Sequence, residues 1–336
     1  MDLHHETQHF TQKGFDLASQ GMNEEALVCF NRLSKLNPKN SDAYCNRSEV
    51  LYAMGRNKEA LLCIEKAISL DPNSAEFYHD KGLILKRMER NEEAVVCYDK
   101  SIILDPSCAG TFYEKGNTLK AMGRNKEAVE CYTEAICLNP NYTNAYCNKC
   151  EALYEMGETE EALVSIDKAI SLDPNRADFY HNKGLVLKRM GRNEEAVACC
   201  DTSISLDPYN ADFYNNKAYA LNQMKKSQEA IECCDHALSL DPTHDLAYFN
   251  KGNALEEMKK YEEAIQCFDK AISFVPDYAD SYYEKGNALK AIGKKKEAVD
   301  CYEKAMSINP DHKDAFENRS KLLNEMKWQQ SDSEKK

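Results

Sequence analysis

The sequence predicts an all-α array of paired helices, and three observations carry that expectation. The segment HDKGLILKRMERNEEA, residues 79–94, returns almost unchanged as HNKGLVLKRMGRNEEA, residues 181–196. All nine prolines, from Pro38 to Pro310, stand 34 residues apart. Between them, small and apolar residues recur at the spacing of a helix face. Self-similarity at such a period marks a solenoid, in which each unit buries its apolar face only against its neighbours.

Setting proline at position 32 gives nine repeats without insertion: 7–40, 41–74, 75–108, 109–142, 143–176, 177–210, 211–244, 245–278 and 279–312. Residues 1–6 form an N-terminal extension. The first helix of each repeat carries an aromatic at position 4, from Phe10 to Tyr282, a small residue at position 8 and leucine at position 11. Positions 4, 8 and 11 lie on one face, and the small residue lets a second helix approach. Glycine at position 15 in six repeats ends that helix in a left-handed cap. Alanine at position 20 in all nine repeats opens the second helix. Asp or Asn before the proline in eight of them closes it. Residues 313–328 continue the first-helix pattern without a partner (Phe316, Ser320, Leu323), so they read as a cap covering the last repeat. Residues 329–336, QQSDSEKK from Gln329, read as a disordered tail.

These spacings resemble the tetratricopeptide repeat over residues 7–312 and the cap. Phe or Tyr stands where that family often has Trp at position 4, a basic residue replaces Leu at 7, and Leu replaces Tyr at 11. The resemblance implies a right-handed superhelical solenoid of helix-turn-helix repeats whose first helices line a concave groove. It also implies a protein–protein interaction module.

Helical geometry places positions 2, 5, 6, 9, 12 and 13 opposite the packing stripe, open to a ligand. Position 6 holds Asn46, Asn148, Asn182, Asn216 and Asn250, and position 9 adds Asn117, Asn253 and Asn287. A carboxamide both donates and accepts, so such a ladder could hold the backbone of an extended segment. The alternative is that asparagine is only a tolerated polar residue on a wet helix face. Position 5 supplies His79, Tyr113, His181, Phe249 and Tyr283, as hot-spot contacts or as packing between neighbouring first helices. The six positions together carry 13 acidic and 6 basic residues, a net −7 that favours a neutral to basic segment. Chaperone-binding relatives hold a C-terminal carboxylate with lysines at positions 5 and 2; here position 5 has none and position 2 is mostly acidic, which argues against that partner. The basic residue at position 7 of every repeat points away from the groove, its stem beside the second helix and its charge in water.

Composition bounds the rest. A formal charge of −13 speaks against nucleic acid, and no run of 18 apolar residues speaks for a membrane span. Fifteen cysteines without a signal segment point to a reducing, cytoplasmic location, with the cysteines of position 23 as small apolar seam residues. CNKC, residues 147–150, lacks a second ligand pair, so no metal is expected. No phosphate loop or nucleophile elbow appears, so neither cofactor nor catalysis is expected. A scaffold or adaptor using the convex face or edges, or the specificity arm of a separate catalytic partner, is the alternative function.

Overall fold

The computed structural model describes residues 3–333, which form helices and turns without a strand. The chain divides into two halves, Met1–Leu172 and Asp173–Lys336. The first contains α1 (Leu3–Ser19), α2 (Asn23–Leu36), α3 (Ser41–Ala53), α4 (Asn57–Leu70), α5 (Ala75–Arg87), α6 (Asn91–Leu104), α7 (Ala109–Ala121), α8 (Asn125–Leu138), α9 (Thr143–Met156) and α10 (Thr159–Leu172). The second contains α11 (Ala177–Arg189), α12 (Asn193–Leu206), α13 (Ala211–Gln223), α14 (Ser227–Leu240), α15 (Asp245–Glu257), α16 (Tyr261–Phe274), α17 (Ala279–Ala291), α18 (Lys295–Ile308) and α19 (Lys313–Ser333). Odd-numbered helices are the first of each pair.

Local chemistry explains the boundaries. Position 15 is left-handed wherever the chain turns between paired helices, at Gly55 (φ 75°) and Gly191 (φ 73°) for example, and also at Glu89, Lys225 and Lys259 (φ 58–61°). The three non-glycine residues show that the turn is imposed by the packing of the pair. The Asx residue ahead of eight of the nine prolines then accepts a backbone N–H two residues on, as at Asp71 (from Asn73, 3.0 Å) and Asn309 (from Asp311, 3.1 Å).

Two stripes of each first helix are packed. One is the expected stripe at positions 4, 8 and 11, turned toward the partner helix; Gly82, Gly116, Gly252 and Gly286 lie directly on the rings of Tyr98, Tyr132, Phe268 and Tyr302. The second stripe occupies positions 3, 7 and 10 and faces the preceding repeat. Phe77 and Ile84 share a cluster with Cys63, Ile64 and Ala67 of α4, and Phe213 is likewise buried. Position 7 pairs across this seam: Lys81 with Glu65, Lys115 with Asp99, Lys251 with Asp235 and Arg319 with Glu303. The lysine stem lies beside a second helix as expected, but its charge meets a carboxylate. These pairs are half-exposed, so they set register more than they add stability.

The ends depart from the expected limits. Helix α1 begins at Leu3, inside the segment read as an extension, and α19 continues to Ser333, through residues read as a tail. Gln, Glu and Lys are good helix formers, so the polarity of that segment does not stop a helix already begun in the cap. Residues 334–336 lie outside the described structure.

Candidate protein-interaction face

The polar positions of the first helices were expected to meet a ligand, and the structure shows many of them meeting one another. In the N-terminal half, Tyr132 donates to Asn117 Oδ1 at 2.9 Å. Asn148 donates to the same oxygen at 2.7 Å and to Tyr113 Oη at 3.1 Å. Both amide hydrogens of Asn148 are therefore engaged between α7 and α9. The Tyr113 ring also lies 4.8 Å from that of Tyr142. His79 approaches Thr111 Oγ1 at 3.0 Å and tilts against Tyr98, and burial lowers its pKa. Asn46 is half-buried on α3.

The same tetrad closes the C-terminal half. Tyr302 donates to Asn287 Oδ1 at 2.9 Å, and Asn318 donates to Asn287 Oδ1 and to Tyr283 Oη, each at 3.1 Å. Asn287 in turn donates to Glu284 at 2.9 Å. Asn250 is only 4% exposed; it donates to Asn215 Oδ1 at 2.8 Å, and its backbone carbonyl accepts from Asn222 at 2.8 Å. Asn216 is half-buried and accepts from Lys188 Nζ at 3.1 Å. Asn182 is half-buried on α11, and the ring of His181 lies 5.1 Å from that of Phe213. Phe249 packs between the rings of Phe268 and Tyr278, and Tyr283 between those of Tyr302 and His312.

Asn253 and Asn287 line an open cavity of about 700 Å³ together with Glu256, Glu257, Glu284 and Asn318. Burial, and then the charge of Glu284, push the Glu256 carboxyl up to about 7, against the pull of Lys290. Burial raises Glu284 as well. Sequence reasoning had not singled out Glu256, Tyr132, Tyr302 or Asn318. The repeated pentapeptide YEKGN, at 113–117 and again at 283–287, was the available signal.

Elsewhere the chemistry is sparse. The Cys45 thiol donates toward Asp80 (3.4 Å) and Glu49 (3.7 Å), and burial followed by those charges raises its pKa far above the usual range. No disulfide joins the fifteen cysteines, and those of position 23 are buried or half-buried. Among the described residues, no helix is long and apolar enough to cross a membrane.

A stack of paired helices that presents successive polar faces is, by class, a protein-interaction scaffold. Models of the tetratricopeptide repeat match residues 41–74, 63–96, 177–210, 211–244, 246–278 and 279–312, and a TPR repeat model matches 14–55, 116–157 and 150–191. The chain belongs to the tetratricopeptide repeat family, as an all-α helical repeat solenoid and a protein–protein interaction module. A chain of the APC/C hetero-tetramer Cut9-Hcn1 is similar at 18% identity and a TM-score of 0.61, over 89% of this chain and 60% of that one. A tetratricopeptide repeat protein from Parabacteroides merdae is similar at 17% identity and a TM-score of 0.62, over 74% of this chain and 98% of that one. PilF of Pseudomonas aeruginosa is similar at 19% identity and a TM-score of 0.55, over 65% and 98%. These likenesses are of fold. No curated protein matches the sequence.

Proposed function

We propose that the first-helix face binds an extended, neutral to basic segment of a partner protein. The supporting observation is the open cavity on α15, α17 and α19, most of whose lining comes from positions 6, 9, 12 and 13, expected to face a ligand, with Lys259 and Tyr261 at its edge. Asparagines at positions 6 and 9 divide between two tasks in this reading. Asn117, Asn148, Asn250 and Asn287 brace consecutive helices, while Asn182, Asn216 and Asn253 of the C-terminal half reach the ligand backbone. The module has no catalytic step of its own and works in the cytoplasm with its thiols reduced, in keeping with its net charge and cysteine usage.

A second reading has its own observation. Val28, Leu62 and Val96, equivalent residues of α2, α4 and α6, are 66–68% exposed. An apolar row on successive second helices would suit a scaffold that docks through that face. Substitution separates the two. A partner recovered with the full chain should be lost with Asn182→Ala/Asn216→Ala and retained with Leu62→Ser/Val96→Ser. The opposite pattern would move the contact to the second helices.

A further inference from the structure

The two tetrads share a frame but differ in the charges beside it: Lys86, Arg87, Glu89 and Glu151 correspond to Glu256, Glu257, Lys259 and Lys321. In the N-terminal half, Lys86 at position 12 of its repeat places Nζ 2.8 Å from Glu114 Oε2 at position 6 of the next. The matching residues 170 positions later are Glu256 and Glu284. Around both pairs the frame is the same: Tyr113, Asn117, Tyr132 and Asn148 bond as Tyr283, Asn287, Tyr302 and Asn318 do. An ion pair has thus become two carboxylates, each partly removed from water, and among the described residues neither is in an ion pair of the kind Lys86 makes. Like charges held in a desolvated site cost free energy that a cation between them would remove.

The walls of the cavity agree. Asn253 Oδ1 is buried and has no hydrogen-bond partner. Glu257 adds a third carboxylate; Lys259 and Lys290 stand at the exposed lining. Neither lysine forms an ion pair among the described residues, and Lys290 is the cation that tempers Glu256.

We infer that this cavity receives a cationic side chain, an arginine above all, from the segment held on the first-helix face. Its charge takes the place that Lys86 Nζ fills in the N-terminal half. A guanidinium has five N–H donors in a planar fork, enough to meet Glu256, Glu284 and the Asn253 carbonyl together. A lysine can meet them only one contact at a time, so arginine should be preferred. This inference rests on the first-helix reading and sharpens it to a side chain.

The test uses the full chain and pools of acetylated, amidated nonapeptides, random in neutral residues with the central position fixed as Arg, Lys, citrulline or Glu. Citrulline keeps the shape of arginine without its charge. The Arg pool should bind about tenfold more tightly than the citrulline pool, and the Glu pool most weakly. Glu256→Gln/Glu284→Gln should shrink that preference to less than about threefold while leaving neutral peptides bound. Glu256→Lys should rebuild the ion pair of the N-terminal half, fill the site from within and also abolish the preference. Binding of all pools alike, or a preference that survives both variants, would overturn the cation site and leave the groove reading standing. Binding of no pool would overturn both.

Discussion

Gly82 lies so close to Tyr98 that a Cβ on it would sit 2.4 Å from the ring carbon Cε1. The equivalent Gly184 faces Cys200 instead, and its nearest neighbour would be Cys199 Cβ at 3.6 Å. One glycine makes room for an aromatic ring; the other has ordinary space. Gly82→Ala should therefore cost about 1–3 kcal/mol by overpacking. Gly184→Ala should gain up to about 1 kcal/mol from helix propensity. Denaturant midpoints of the two variants should move in opposite directions. A shift of the same sign in both would show that ring contact does not set the tolerance at this position.

The left-handed turn at position 15 makes a second pair of opposite effects. Lys225 holds φ at 58°, where a side chain meets its own backbone, whereas Gly191 holds φ at 73° without that penalty. Lys225→Gly should stabilise by roughly 0.5–1 kcal/mol after the entropy of glycine in the unfolded chain is charged against it. Gly191→Ala should destabilise by about 1–2 kcal/mol. Thermal melts of both variants check the signs.

What was legible follows from this geometry. Proline at position 32 and alanine at position 20 recur in all nine repeats and glycine at position 15 in six, so their lattice revealed the period and the helix pairs, and Phe316, Ser320 and Leu323 revealed the cap. The stripe at positions 3, 7 and 10 was hidden. Position 3 varies from Ala43 to Phe77 to Thr111, and a lysine at position 7 reads as solvent-facing until Glu65 or Asp99 appears across the seam. The bracing of Asn117 and Asn287 was hidden for a similar reason. Their tyrosine partners stand 15 residues away on the second helix, and their asparagine partners 31 residues away in the next first helix. A helical wheel of one element contains neither.

Asn250 and Asn46 should therefore respond differently to the same change. Asn250→Ala removes a buried donor and leaves Asn215 Oδ1 in an interior site without it, which should cost about 1–3 kcal/mol. Asn46 is half-buried, and alanine is the better helix former, so Asn46→Ala should change stability by less than about 0.5 kcal/mol. Equal effects would mean that the Asn250–Asn215 contact contributes little.

Thiol chemistry should report the same burial. Cys108 and Cys137 are exposed, whereas burial pushes Cys131 up to about 11 and Cys200 up to about 12. The thiolate is the reactive form, so native protein near pH 7.5 should be alkylated first at Cys108 and Cys137. All fifteen cysteines should react once the chain is unfolded without reductant. Peptide mass mapping distinguishes this order from uniform labelling, which would place the seam cysteines in contact with solvent.

Asp80 and Glu256 set the last expectation, which concerns pH. Burial is the main cause at both; the charges of Glu49 and Glu76 add to it at Asp80, and that of Glu284 at Glu256. The Cys45 thiol at Asp80 and Lys290 at Glu256 work in the opposite direction. Each carboxyl titrates near 7 in the folded chain, against 3.8 and 4.5 for the ordinary groups. Between about pH 4 and pH 7 the folded state therefore binds more protons than the unfolded state, and stability falls as pH rises. The stabilisation is complete below the unfolded values and gone above about pH 7. Each group should contribute on the order of 2 kcal/mol after allowance for solvent screening. Carboxylates paired on the surface, such as Glu59 with Arg56 and Glu93 with Arg90, have lowered values and act with the opposite sign. They are exposed to solvent, which screens them, so the buried groups should dominate. Asp80→Asn and Glu256→Gln should each raise the melting temperature at pH 8 and change it little at pH 4. Unfolding measured from pH 4 to pH 8 should show the double variant flatter than the parent chain. A parent chain that gains stability across that interval would refute the assignment.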